Sequence, residues 1–307
     1  MEKRVLLTGA TGYVGGSVLA NLLASPRLGQ LSISALARDP ERLKALEDKV
    51  SFVPFQGLDD TDALESIASQ FDVVIHCANG HHVQSPRAFI RGLAQRKRSL
   101  GGEPFYIHTS GTSSLGDYGI TKRYVETRTF SDEQDDIFAY EELRENIETY
   151  PQRTADISVV QAGEESGIRT YIMMPPCIIG RGTGPYRQQS HQVPMLVRNA
   201  IRQGQSEFVG DGSYTVGHVD VQDLADLFEL LLWRLLAGES LPYGRRGIYF
   251  SNTGRHTWLE VAQAIGVVGH RLGFLKNAQP KSIELSEIAR REFNDDHHTT
   301  ELVLAAK

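Results

Sequence analysis

Cysteine is scarce. The 307 residues hold two, Cys77 and Cys177, each at the end of an apolar run. Two isolated thiols argue against a disulfide-stapled secreted scaffold and fit a reducing, cytoplasmic setting. Long hydrophobic runs are missing too. Residues 227–236 are apolar, but they fall short of the roughly 20 needed to cross a bilayer and carry Glu229 and Arg234. The chain opens straight onto an apolar segment, so neither a signal peptide nor a membrane partner is expected. Positive charge is in deficit, with a net charge of −6. The short basic run at residues 91–98 sits on an expected helix and reads as a solvated face, so no nucleic-acid partner is expected. No zinc-like spacing occurs. His297 and His298 lie in a polar stretch, and no metal is expected. There is no internal repeat. The length allows one large α/β domain with a smaller lobe.

Glycine, by contrast, is plentiful, with 29 residues. Three of them fall in Thr8-Gly9-Ala10-Thr11-Gly12-Tyr13-Val14-Gly15, between an apolar run (residues 4–7) and an amphipathic one (residues 17–23). Strand, glycine turn and helix in that order aim backbone N–H groups and a helix N-terminus at one point, where a phosphate is favoured. Gly9 permits the tight turn, Gly12 lets a pyrophosphate approach, and Gly15 lets the helix pack close to the strand. Thr11, Tyr13 and Val14 complete the expected dinucleotide cradle.

Strands are expected at residues 5–8, 32–37, 51–55, 73–77, 105–109, 170–174 and 247–251. Helical patterns lie between them at 12–24, 40–47, 61–70, 86–99 and 153–166. Short strands that are apolar on both faces, alternating with helices, predict a doubly wound parallel α/β sheet of the Rossmann type. Ligands bind beyond the strand C-terminal ends in such a sheet, where Gly9, Arg38, Asn79 and Ser110 fall. Residues 111–150 break the rhythm and read as an insertion or active-site flap with a short helix at 141–147. Further helices are expected at 193–203, 224–237, 257–266 and 283–292.

The second strand ends Ala37-Arg38-Asp39. An acid at the position of Ala37 would bond a ribose 2′-hydroxyl, and alanine does not. The guanidinium of Arg38 suits a 2′-phosphate, which favours NADP(H). The alternative is a surface Arg38 with Asp39 on the ribose. Leu58 and Asp59 are placed to flank an adenine. Cys77, Ala78 and Asn79 are placed beside the pyrophosphate and ribose.

The chain resembles the extended or atypical branch of the short-chain dehydrogenase/reductase superfamily, the NAD-dependent epimerase/dehydratase-like proteins. The matching residues run in the family's order: Thr8 to Gly15, Asp72-Val-Val-Ile-His-Cys-Ala78, Ile107-His-Thr-Ser-Gly111, Pro175-Pro-Cys-Ile-Ile-Gly180 and His218-Val-Asp-Val-Gln-Asp223. The resemblance implies a Rossmann domain at residues 1–175, with 215–255 returning to it. It also implies a substrate lobe at 176–214 and 256–307, and a nicotinamide near Pro175 and Ile178. It implies an NADP(H)-dependent oxidoreductase acting on a small molecule, as a monomer or homodimer. A non-enzymatic NADP-binding sensor and a redox-neutral epimerase or isomerase are the rivals.

The family's catalytic set is a Ser or Thr after the fifth strand, then Tyr-x-x-x-Lys. Nearby positive charge lowers the tyrosine pKa so that it can pass a proton to or from the substrate oxygen. Ser110 matches the serine, with Thr112 close behind. Tyr118-Gly-Ile-Thr-Lys122 fits the tyrosine spacing, but it lies far ahead of the sixth strand. Tyr150 is better placed, with Thr154 where the lysine belongs and Arg153 beside it. Either tyrosine, or neither, could serve. His81 and His82 are reserve acid/base candidates facing the pocket. Tyr186, His191 and Gln192 could line the substrate side. His218 reads as structural, near Asp220 and Asp223.

Overall fold

A computed structural model describes residues 2–39, 46 and 48–304. Six strands arise first: β1 (Lys3–Thr8), β2 (Leu31–Ala37), β3 (Ser51–Pro54), β4 (Val73–His76), β5 (Phe105–Thr109) and β6 (Arg169–Met174). Three more follow, β7 (Cys177–Ile179), β8 (Glu207–Val209) and β9 (Thr215–Asp220), before β10 (Ile248–Phe250) returns to the edge of the main sheet. That sheet runs β10-β6-β5-β4-β1-β2-β3, and every neighbour is parallel. It is the expected Rossmann sheet. Chain order reverses between β1 and β4, and the crevice at such a switch point is where ligands bind. Register brings the relevant strand ends together: Thr8 pairs with Leu36 on one side and with His76 on the other. Gly9, Arg38 and residues 77–79 therefore leave the sheet along one edge.

Both faces are covered. Helices α1 (Tyr13–Ala24) and α7 (Val221–Leu236) enclose one core with Val5, Leu7, Ile33 and Ile75. Burying Phe228, which is fully enclosed there, contributes roughly 1.5–3 kcal/mol. Helices α2 (Thr61–Ala68), α3 (Gln84–Leu100) and α5 (Pro151–Ser166) cover the other face over Leu6, Val74 and Tyr106. The expected helix at 40–47 lies outside the described residues, apart from Leu46.

The expected flap at 111–150 is tied down. A 3-10 turn at Thr112–Leu115 opens it, and α4 (Ile137–Ile147) closes it. The helix starts four residues earlier than expected because Asp136, the last acid of the stretch from Ser131, accepts the Ala139 N–H at 3.0 Å. Arg144 on α4 is buried and donates to the Gly116 carbonyl at 3.1 Å and the Tyr140 hydroxyl at 3.0 Å.

Beyond β6 the chain builds a second layer. β9 joins β7 in parallel and β11 (Gly254–Thr257) antiparallel, and β8 pairs with β12 (Lys281–Ile283). Around them stand α6 (Gln192–Gln203), α8 (Trp258–Arg271), α9 (Leu285–Glu292) and α10 (His297–Leu304). Cys177, Val216, Trp258, Ile283, Ile288 and Leu304 form their shared core. Helix α10 is anchored through its second half. Glu301 accepts the Ile120 and Thr121 N–H groups at 2.9 and 2.7 Å, and Trp258 Nε1 donates to the Leu304 carbonyl at 2.5 Å.

Candidate active site

The glycine turn forms as its residues dictate. Gly9 has φ +73°, a region where an L side chain is strained. A Cβ there would lie 2.5 Å from the Cys77 carbonyl oxygen. Gly12 donates to the Gly9 carbonyl at 2.8 Å and takes the N-cap position of α1, where no side chain bonds the first-turn N–H groups. A helix start whose first-turn N–H groups take no side-chain cap fits a dinucleotide's diphosphate. Thr11, Tyr13 and Val14 are half-buried around it.

The neighbouring strand ends are pinned to this turn. Thr8 Oγ1 bonds His76 Nδ1 at 2.8 Å and accepts the Ala78 N–H at 3.2 Å. Cys77 Sγ accepts from Thr109 Oγ1 at 3.4 Å. Asn79 Oδ1 accepts the His81 N–H at 3.1 Å. Arg38 is exposed just past the end of β2. Leu58 is half-buried, and Asp59 bonds His82 Nε2 at 3.0 Å, which joins the loops after β3 and β4.

The segment after β7 closes over α1. The Tyr13 hydroxyl donates to the Ile179 and Gly180 carbonyls at 2.7 and 2.8 Å. Ser17 Oγ accepts the Thr183 N–H at 3.2 Å. Gly184 lies directly on Gly16, so that a Cβ on Gly184 would sit 2.6 Å from the Gly16 carbonyl carbon. Pro175 is buried and Ile178 half-buried on the same side.

The two candidate tyrosines share one cluster with Leu302, yet their surroundings differ. Tyr118 and Lys122 lie in a turn, not on a helix, and Lys122 is exposed with φ +58°. The Tyr118 hydroxyl bonds Glu148, and His298 Nδ1 stands 3.0 Å away. Burial, then the Glu148 carboxylate, pushes its pKa up to about 12. An acidic neighbour is the opposite of what proton donation requires.

Tyr150 is the N-cap of α5, immediately ahead of Pro151 and in the connection leading to β6. Its hydroxyl donates to Ser113 Oγ at 3.2 Å. The Arg153 guanidinium stands 5.8 Å from its ring, and the rings of His81 and His298 approach at 5.9 and 6.5 Å. Burial raises the phenol's pKa, while Ser113 and Arg153 pull it back down. Arg153 is itself buried. It donates to the Ser114 and Glu148 carbonyls at 2.8 and 2.9 Å and faces Glu145 at 3.6 Å. Thr154, at the family's lysine position, bonds Glu145 instead.

Ser110 is turned away from this pair. Its Oγ donates to Asp156 at 2.5 Å, and Ser114 donates to the same oxygen at 2.9 Å. Asp156 is fully buried, and burial raises its pKa to about 7. Two buried groups stand beside it. His108 is 3.7 Å away, and burial lowers it to about 3. Burial, and then Asp156 itself, pushes Glu141 well above the usual carboxylate range. This network holds the loop after β5 from beneath.

Thr112 is buried, and its hydroxyl has no hydrogen-bond partner among the described residues. Tyr186 packs against the core under α1 and α7, and His191 is exposed at the start of α6. Neither joins the Ser113–Tyr150 group. His218 pairs with His256 at 2.9 Å. Ser113, Asp156 and His298 were not singled out from sequence. A count of hydroxyls after β5 finds Ser113 only among four candidates.

Comparison with known proteins agrees with this architecture. Residues 9–100 match the NAD(P)H-binding family, and residues 128–241 match the NAD dependent epimerase/dehydratase family. The chain is 30% identical to the oxidase ucsJ of an Acremonium species, over 94% of this chain and 85% of that one. It is 22% identical to a dTDP-4-dehydro-6-deoxy-D-allose reductase of Streptomyces bikiniensis, over 72% and 70% of the two chains. In structure it resembles the dTDP-glucose 4,6-dehydratase DesIV of Streptomyces venezuelae, solved with NAD and TYD. The TM-score is 0.64 at 17% identity, covering 98% of this chain and 96% of that one. Similar too is the UDP-glucose 4-epimerase of Thermus thermophilus, solved with NAD, with TM-score 0.58 at 19% identity over 99% and 97%. Among the described residues no helix is long and apolar enough to cross a membrane. Fold, glycine cradle and relatives together place the chain in the extended, NAD-dependent epimerase/dehydratase-like branch of the short-chain dehydrogenase/reductase superfamily.

Proposed function

We propose that the chain is an NADP(H)-dependent oxidoreductase that reduces a carbonyl, or oxidises a secondary alcohol, of a small organic molecule. The contact between Tyr150 and Ser113 carries this reading. Two hydroxyls within hydrogen-bond reach, next to a dinucleotide cradle, form a holder and a proton donor for one substrate oxygen. Ser113 Oγ holds that oxygen. The Tyr150 hydroxyl gives it a proton during reduction or takes one during oxidation. Arg153 supplies the positive charge that favours the phenolate, in place of the family's lysine. The nicotinamide, when bound, supplies or accepts the hydride. Gly9, Gly12, Gly15 and the start of α1 hold the diphosphate, and Arg38 takes the 2′-phosphate that Ala37 leaves room for. Residues 176–214 and 256–307 serve as the substrate lobe.

Two observations favour the sensor reading: burial raises the Tyr150 pKa, and no lysine stands at residue 154. NADPH consumption across a panel of aldehydes and ketones separates the two. Turnover that Tyr150→Phe reduces about 10²- to 10⁴-fold, with cofactor binding kept, supports the reductase. Cofactor binding without turnover on any carbonyl overturns it in favour of the sensor.

A further inference from the structure

A second cavity, of about 320 Å³, lies between residues 112–130 and the strands β9 to β11. It shares no lining residue with the glycine turn or with the Ser113–Tyr150 pair. Lys122, Arg128 and Arg255 line it, as do Asp117 and Glu126. Both acids are already committed within the protein. Glu126 grips Arg128 through bonds of 3.0 and 2.8 Å, which hold its carboxyl down at about 2. Asp117 is buried, accepting the Glu126 N–H at 2.7 Å and the Tyr214 hydroxyl. Two cations remain. Lys122 and Arg255 are exposed, and among the described residues neither has a carboxylate within 4.0 Å.

The remaining walls are of other kinds. Phe130 and Phe250 present aromatic surface. Thr112 also lines the cavity, with its hydroxyl buried and without a hydrogen-bond partner among the described residues. The volume is at the small end for ligand sites, which span roughly 300–1,000 Å³. That suits one or two fused rings.

We propose that this cavity is a binding site for a small aromatic monoanion, a carboxylate or sulfonate. The Arg255 fork and the Lys122 ammonium take the acid group. The two phenylalanines take the ring. The site is independent of the catalytic assignment above.

The test is a fluorescence titration with 8-anilinonaphthalene-1-sulfonate. NAD+ or NADP+, neither of which fluoresces, is held at saturation to keep the dye off the dinucleotide cleft. One saturable site is expected, weakened about tenfold by Arg255→Gln and comparably by Lys122→Gln. Both side chains are exposed, so the fold is retained. Arg234→Gln, at a guanidinium already paired with Glu239, should titrate like the parent. Parent-like binding in Arg255→Gln and Lys122→Gln, or no saturable binding at all, overturns the proposal.

Discussion

The Tyr150 hydroxyl reaches Ser113 Oγ at 3.2 Å although 37 residues separate the two in the chain. The N-cap residue of α5 supplies one hydroxyl and the 3-10 turn after β5 the other. Ser113→Ala should therefore lower kcat with a carbonyl substrate by about 10²-fold, with KM for the cofactor unchanged. Ser110→Ala, which removes a donor to Asp156 on the far side of the loop, should cost stability more than turnover. Equal kinetic losses in the two variants would refute the assignment.

The lysine missing at residue 154 directs attention to Arg153. Arg153→Gln removes a buried cation and its bonds to the Ser114 and Glu148 carbonyls, and leaves Glu145 with its bonds from Thr154 and the Tyr150 N–H, at an expected cost of about 1–3 kcal/mol. Where the variant folds, the limb of its pH–rate profile assigned to Tyr150 should move to higher pH. An unmoved limb would mean that the guanidinium only holds the loop.

Cofactor choice is tested at Arg38. Arg38→Ala should weaken NADPH by about tenfold or more, through the loss of charge-assisted bonds. NADH affinity should change little. Isothermal titration with both cofactors decides, and an equal loss for both removes the 2′-phosphate role.

Asp156 and His108 bend the stability curve in opposite directions. With its carboxyl raised to about 7 from 3.8, the folded chain keeps a proton that the unfolded chain releases, so this group's contribution falls as pH rises across that window. With His108 lowered to about 3 from 6.5, the unfolded chain gains a proton that the folded chain lacks. Its contribution is lost as pH falls from 6.5. Asp156→Asn removes the first effect and leaves the second. From about pH 4 to 6.5, the variant's stability should rise relative to the parent's by roughly 1 kcal/mol per pH unit. Urea unfolding at several pH values measures this, and a constant difference would show that Asp156 does not titrate there.

Two glycines of the turn separate folding from binding. Gly12 has φ −87°, which any residue adopts, and a Cβ there would press on the Gly9 carbonyl oxygen at 3.0 Å, so Gly12→Ala should lose cofactor affinity at a smaller cost to the fold than a change at Gly9. Gly9→Ala combines a positive φ with a clash against the Cys77 carbonyl. It should lower the melting temperature as well. Thermal melts with and without cofactor distinguish the two.

The main sheet was legible because its strands are buried on both faces and read as continuous apolar runs, as in Val5-Leu6-Leu7 and Val73-Val74-Ile75. The strands β7, β8 and β12 have only three residues each, the first two among glycines, so no period could emerge. The start of α4 was hidden because Asp136 ends an acidic stretch that reads as loop. At the site, spacing misled. Tyr118 and Lys122 satisfy Tyr-x-x-x-Lys in sequence, but a turn with positive φ at Lys122 does not stack them as a helix would. Choosing Ser113 from Ser110, Thr112 and Ser114 needed the pitch of the 3-10 turn, which composition does not encode. His298 was out of reach because it comes from α10, near the far end of the chain.

The meeting of Gly16 and Gly184 limits how this chain can evolve. Their backbones touch with no side chain between them. Most tight packing can be repaired after an enlargement, because a neighbour can shrink in compensation. Here neither partner has a smaller residue to retreat to. A side chain gained at Gly184 would have to be absorbed by moving the segment after β7 off α1, which would also pull the Ile179 and Gly180 carbonyls away from Tyr13. Gly184 is therefore fixed by its neighbour's backbone, whereas a Cβ on Gly16 would meet Gly184 only at 3.5 Å, and the lineage can enlarge residue 184 only by rebuilding the whole segment at once.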